Sequence, residues 1–255
     1  MDKGSLVLVD YTAKVKDTNE VFETTREEEA KKTDLYDPTR KYEPRLVSVG
    51  EAWVLKGLDE ALAKAGVGDK LNVEVTPDKG FGERDPNKVR MIPQRKLGDK
   101  ADDVHVGDVV ELDDRTGIVR YVGSGRLQVD FNHRFAGKTL VYDVNVMKKL
   151  DADSDKITAL IKRRIPLEDN KIKFNLSGAN LDLELPEETY MAEGLQIIKR
   201  AVANDIFKFV PTIKNIKFIE SYAAPQPQAA ATEKKEEGKQ AKPASAATEA
   251  KAEAK

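Results

Sequence analysis

Two histidines, His105 and His133, are the only imidazoles in the chain. His133 stands in "DFNHRFAGKTLVYDV", residues 130–144, beside an Ala-Gly-Lys turn that feeds an alternating strand. A catalytic imidazole needs an acid to orient it or a nucleophile to deprotonate, and neither is readable near His133. It reads as a turn or pocket-wall residue. Two histidines so far apart cannot build a multi-histidine metal site. The absence of cysteine excludes disulfides, thiolate ligands and a cysteine nucleophile. "GSG" at 123–125 lies between two strands rather than before a helix, so it reads as a turn and not a phosphate loop. Ser5, Ser48, Ser124, Ser154, Ser177 and Ser221 sit in no nucleophile motif, and the Asp113-Asp114 pair sits in a charged, solvated turn. The side chains for acid–base, covalent and metal chemistry are missing, and no cofactor is expected.

One reaction needs none of them. Rotation about an X-Pro bond faces a barrier of about 18–20 kcal/mol and transfers neither a proton nor a group. Resonance across the C–N bond resists the rotation, so an apolar pocket can assist by desolvating the amide and favouring its twisted form. Lowering the barrier by roughly 5–8 kcal/mol accelerates rotation on the order of ten-thousand- to a million-fold. The residues required are aromatic and aliphatic, and this chain supplies them near its strand ends.

The elements that must position them follow from pattern. In "LVLVDYTAKV", Val7, Val9, Tyr11, Ala13 and Val15 alternate on one strand face. Residues 24–44 are polar and charged, a long surface excursion. "RLVSVG" resumes a strand, "KGLDEALAKAG" places Leu58, Ala61, Leu62 and Ala65 at helical spacing before Gly66, and "DKLNVEVTP" alternates again. "VGDVVEL" and "GIVRYVGSGRLQVDF" read as strands, the latter folded at Gly123-Ser124-Gly125 into a hairpin. Residues 151–222 read helix, strand, strand, helix, strand, with Ile157, Leu160 and Ile161 as the first helix's stripe and Pro166 as its stop. From residue 223 onward Ala is the only apolar residue, too little to offset ordering entropy, so a disordered tail is expected over 223–255. The fold class is α+β.

Apolar residues make up 40% and charged residues 35% of the 255, and the charges cancel to a formal −2. That balance gives no reason to expect nucleic acid or an anionic membrane. The opening "MDKGSLVLVDYTAKV" lacks a signal peptide's apolar core, and no apolar run approaches the roughly 20 residues that span a bilayer. A cytoplasmic protein is expected.

"VLVDYTAKVKDTNEVFETT", "VGEAWVLKGLDEALAKAGVGDK", "DKGFGERDP" and "DFNHRFAGKTLVYDV", in that order, resemble the FKBP-type peptidyl-prolyl isomerases of the SlyD-like branch. The likeness covers residues 6–150. It implies an antiparallel FKBP-like sheet wrapped on a short helix over 1–83 and 131–150, interrupted by a small β-rich insert-in-flap domain over 84–130 that in the family binds unfolded chains. Residues 151–222 resemble the extra C-terminal α/β domain of long archaeal members. The implied activity is isomerisation of X-Pro bonds in unfolded polypeptides, coupled to a folding-chaperone role.

The resemblance carries roles over residue by residue. Tyr11 matches the pocket tyrosine of the first strand, and Phe22 the phenylalanine of the family's "F-D" pair. Glu23 replaces the usual aspartate, keeping the carboxylate with a longer reach. Val54 and Leu55 match the pair whose backbone docks substrate, and Leu58 sits where macrolide-binding members place a tryptophan floor. Phe81 in "GFG" replaces the tyrosine of "A-Y-G", removing a hydroxyl donor. Tyr142 lines the wall, with His133 and Phe135 at the rim. By pattern alone, Tyr11, Phe22 and Tyr142 read equally well as core residues, whereas Phe81 between two glycines has little local core to join. Trp53 matches no pocket position and is expected at the helix entry.

In the insert, Met91, Ile92, Leu97, Val119 and Tyr121 are either an exposed apolar surface for unfolded segments or that domain's own core; alternation does not separate the two. Two other readings stand beside the isomerase. One is a holdase with a weak pocket, favoured by Phe81 and Glu23. The other is an RNA or ribosome binder through a barrel-like insert, opposed by five acids against four arginines between Val104 and Arg134. No metal-binding tail is expected, since residues 223–255 hold neither His nor Cys. The exposed strands and apolar helix of 151–222 suggest a homodimer contact.

Overall fold

A computed structural model describes residues 1–101 and 103–222, with the backbone alone at 99 and 100. The expected tail at 223–255 lies outside the described residues. Residues 1–221 form one compact unit, built on three hydrophobic cores. Mixed α+β architecture with antiparallel sheets matches the expected class.

The first sheet is organised by β1 (Leu6–Val15) and β9 (Leu140–Lys149), paired antiparallel from Val7↔Lys149 to Val15↔Leu140. β4 (Lys70–Val75) flanks β9 on its other side. The outer edge of β1 is shared by two short strands: β3 (Arg45–Ser48) pairs Leu6–Val9, and β2 (Val21–Thr24) pairs Thr12–Lys14. At the break between them, Tyr11 exchanges backbone hydrogen bonds with Thr25, whose N–H donates to the Tyr11 carbonyl while its hydroxyl accepts from the Tyr11 N–H. α2 (Lys56–Lys64) buries Leu58 and Leu62 against this sheet. Its Gly57 permits the approach: a Cβ there would meet Val75 Cγ1 at 3.0 Å. The polar stretch 24–44 contains one short helix, α1 (Glu27–Lys31).

Between β4 and β9 runs a second sheet in the order β5-β8-β7-β6, from β5 (Val89–Pro93), β6 (Val109–Leu112), β7 (Arg115–Gly123) and β8 (Arg126–Asp130). Ser124 and Gly125 both have positive φ, 51° and 67°, the conformation a two-residue hairpin turn requires. Its core is Ile92, Val110, Val119, Leu127 and Val129. β5 is not read as a strand in the sequence, because prolines bracket it; it survives as an edge strand with Pro93 at its end.

The third sheet is β10 (Lys173–Ser177), β11 (Asn180–Glu184) and β12 (Asn215–Ile219). β11 and β12 are parallel, joined through α4 (Leu195–Phe209), which packs against α3 (Asp153–Arg164). The core formed by α3, α4 and this sheet also takes Leu6, Leu8, Leu46 and Trp53 from the first sheet and its loops. β1 is therefore covered on both faces: its odd-numbered residues join the α2 side and Leu6 and Leu8 the α3 side.

Candidate functional site

Four elements converge on one aromatic cluster. β1 carries Tyr11, β2 carries Phe22 and Glu23, β9 carries Tyr142, and the segment entering β9 carries His133 and Phe135. Phe81 follows a single helical turn at Pro77–Lys79, closed by Gly80 and Gly82 N–H groups donating to the Pro77 carbonyl. The Gly137 N–H donates to the Gly82 carbonyl at 2.8 Å, tying the two loops together.

The rings form a continuous chain. Tyr11 and Tyr142 lie 5.9 Å apart, Tyr142 and Phe22 meet edge-on at 6.3 Å, and Phe22 and Phe135 are 4.4 Å apart. Phe135 reaches Phe81 at 5.6 Å, and Phe81 stacks on His133 at 4.0 Å and 14°. The expectation that Phe81 has little core to join is thus corrected. It is half-buried against the first core, because the incoming loop brings His133 and Phe135 to it. Leu58 is buried in that same core, with Val54 and Leu55 half-buried against it.

One polar group adjoins the cluster. The Tyr11 hydroxyl donates to Glu23 Oε1 at 2.8 Å, and the Arg45 guanidinium donates to both, at 2.7 and 2.8 Å. The longer Glu23 side chain therefore commits its carboxylate to holding Tyr11 and Arg45. Burial, then the Glu23 charge, push Tyr11 up to about 12; burial pushes Tyr142 up as well. Both phenols stay protonated through the neutral range. Arg45 was missed in the sequence, where the only signal was a cation opening an otherwise apolar strand.

His133 is exposed, and its Nδ1 accepts the Phe135 N–H at 3.3 Å. Partial burial, then the neighbouring Arg134, hold it below its ordinary value of 6.5. With its ring stacked on Phe81, His133 forms one end of the aromatic cluster. Among the described residues no group of three His, Asp or Glu is placed to hold a metal, and no helix is long and apolar enough to cross a membrane.

Trp53 does not pack at the entry of α2 alone. It meets Phe209 edge-on at 5.3 Å, with the Arg163 guanidinium 3.7 Å over its ring. The five insert residues separate. Val119 and Ile92, 0% and 7% exposed, are core, and Leu97 packs against them. A surface role for Ile92 and Val119 is therefore excluded. Met91 and Tyr121 are 51% and 52% exposed. The cause is an irregularity between Val119 and Tyr121, where Arg120 is the extra residue: Val119 pairs Val129 but Tyr121 pairs Gln128, so residues two apart face opposite sides. Met91 pairs the same Gln128, placing Met91, Gln128 and Tyr121 in one outward row.

A family model described as FKBP-type peptidyl-prolyl cis-trans isomerase matches residues 1–147, and one described as FKBP26_C-terminal matches residues 153–223. The chain is 32% identical over 153 residues to the short-type peptidyl-prolyl cis-trans isomerase of Methanocaldococcus jannaschii, covering 60% of this chain and 96% of that protein. It is 28% identical over 153 residues to the FKBP-type 16 kDa peptidyl-prolyl cis-trans isomerase of Escherichia coli, covering 58% and 93%. To the FKBP-type peptidyl-prolyl cis-trans isomerase SlyD of Pasteurella multocida it is 31% identical over 105 residues, covering 40% and 52%. With more than half of its length matched by the isomerase model, and the aromatic cluster inside that match, the chain belongs to the FKBP-type peptidyl-prolyl cis-trans isomerases.

Proposed function

We propose that the chain isomerises X-Pro bonds of unfolded polypeptides at the aromatic cluster, and that its insert recruits those polypeptides. The observation that carries the reading is the unbroken run of rings from Tyr11 through Tyr142, Phe22, Phe135 and Phe81 to His133. A proline ring packs against this apolar surface, the backbone of Val54 and Leu55 docks the flanking segment, and the desolvated amide loses part of the resonance that resists rotation. His133 acts as a rim and neither gives nor takes a proton. The pocket belongs to residues 1–83 and 131–150, recruitment to 84–130 through the Met91–Tyr121 row, and residues 151–222 form a further domain whose exposed Leu176 and Ile219 suit a homodimer contact. The setting proposed is the cytoplasm.

The test is proline-limited refolding of an unfolded model protein by the intact chain, Phe81→Ala, and a form in which residues 89–130 are replaced by a short Gly linker. Removing one ring contact of the kind worth about 0.5–1.5 kcal/mol lowers the catalysed rate roughly two- to tenfold. Loss in both variants supports pocket and recruitment together. Suppressed aggregation with no acceleration by any form would mean a holdase instead.

A further inference from the structure

Beside the aromatic cluster, a cavity of about 750 Å³ lies between the β1–β3 edge and α3. Three of its lining residues, Tyr11, Glu23 and Arg45, are the polar group that adjoins the rings. The cavity therefore meets the aromatic cluster at Tyr11, whose hydroxyl reaches the edge of the sheet. Its apolar lining includes Leu8, Leu46, Leu150 and Ala159.

Its charge is one-sided. Arg40 and Lys41 come from the stretch before β3, Lys148 from β9, and Lys162, Arg163 and Arg164 from α3. With Arg45 these cations face four lining carboxylates, Glu23, Glu43, Asp155 and Asp169. Lys148 is paired with Asp155 at 2.6 Å and Lys162 with both Asp169 and Glu43 at 2.9 Å. Lys41 shares that Glu43 at 3.6 Å, and Arg163 and Arg164 share Asp205, at 3.3 and 2.8 Å, so the seven lining cations still outnumber their carboxylates. Arg40 makes no close ion pair among the described residues, although Asp37 feels its charge, and its guanidinium lies 5.5 Å from the Tyr42 ring. Burial, then the Arg164 charge, hold Arg163 below its ordinary value against the opposing pull of Asp205.

We infer that this groove is a subsite for the segment flanking the proline and that it selects polypeptides carrying carboxylates there. The inference rests on the isomerase reading. A chain seated with its proline on the rings has a path past Tyr11 and Arg45 into a groove whose volume falls in the range of ligand sites. Acidic side chains along that path meet the excess of cations while the aliphatic lining covers their stems.

The test compares peptides with one X-Pro core and three flanking residues that are acidic, neutral amide or lysine, placed on either side. Exchange spectroscopy measures catalysed isomerisation by the full chain, by Arg40→Glu/Lys41→Glu and by Lys148→Gln, each checked for intact melting. Three exposed contacts favour the acidic over the neutral peptide by about tenfold at about 25 mM salt, and screening cuts this to about twofold at about 300 mM. The double charge reversal brings the ratio near one, and Lys148→Gln lowers it part of the way. Equal acceleration of all peptides by the wild-type chain overturns the groove and leaves the isomerase standing. An acidic preference unchanged in both variants also overturns it. Acceleration of no peptide removes the isomerase reading and the inference with it. Salt-sensitive binding of a uridine oligonucleotide, lost in the double variant and without any peptide preference, reassigns the groove to nucleic acid.

Discussion

His133 is held at the end of the aromatic cluster by one hydrogen bond and one stacking contact. Its Nδ1 is occupied by the Phe135 N–H and one face by the Phe81 ring, so protonation costs the Nδ1 acceptor in a place where partial burial and the Arg134 charge already oppose it. The folded state holds the proton more weakly than the unfolded chain. Stability is therefore complete above pH 6.5 and is lost as pH falls from 6.5 through the folded value. His133→Phe keeps the stack and removes the titration. Thermal melts at neutral pH and at about one pH unit below the ordinary histidine value are expected to show the larger fall for the wild type; equal falls would assign the loss to other groups. The aromatics of the cluster were legible only through the resemblance to the isomerase family; pattern alone left Tyr11, Phe22 and Tyr142 readable as core residues. Arg45 was not legible: its partner Glu23 is 22 residues back in the chain, and the two meet only because their strands share the outer edge of β1.

At the scale of elements, the insert hangs on one buried carboxylate. Asp130 is 4% exposed and ends β8. Burial alone would raise it, but N–H donors from Asn132 and the guanidiniums of Arg84 and Arg120 hold its carboxyl below the usual range. Arg84 reaches it at 2.6 Å from the other connection of the insert. Asp130→Asn removes the charge that both arginines face and is expected to cost about 1–3 kcal/mol in urea unfolding. A cost near zero would show the exposed guanidiniums to be indifferent to it. Alternation in β7 and β8 was readable, and so was the turn between them. The inward and outward sets were not, because a period of two labels faces without saying which is buried, and the extra residue at Arg120 exchanges them midway along β7.

For the whole molecule, β1 is the shared wall. Its odd residues read as a half-buried strand, and the unbroken apolar run Leu6–Val9 was the one sign that its opposite face is covered too; which segment covers it is set by residues far downstream. Trp53 fastens the same junction, with Lys208 paired to Glu51 beside it. Trp53→Ala loses an aromatic pair and a stacked guanidinium and is expected to destabilise the chain by about 2 kcal/mol in urea unfolding. Because Trp53 is the sole tryptophan, its emission in the wild type follows the opening of this junction directly.

The insert's two connections lie side by side, with the Phe131 N–H donating to the Lys88 carbonyl at 3.0 Å. This bears on the speed of folding. β4 and β9 must find each other across the whole insert, a long loop whose closure is entropically costly. The β7–β8 hairpin is local and forms early, on the microsecond scale of about 1–10 μs. Once β5 joins β8, the ends at Lys88 and Phe131 are already neighbours, and the loop left to close is only the two short connections. The insert then acts during synthesis as an internal splint: the part proposed to recruit other chains first shortens the search its own chain must make.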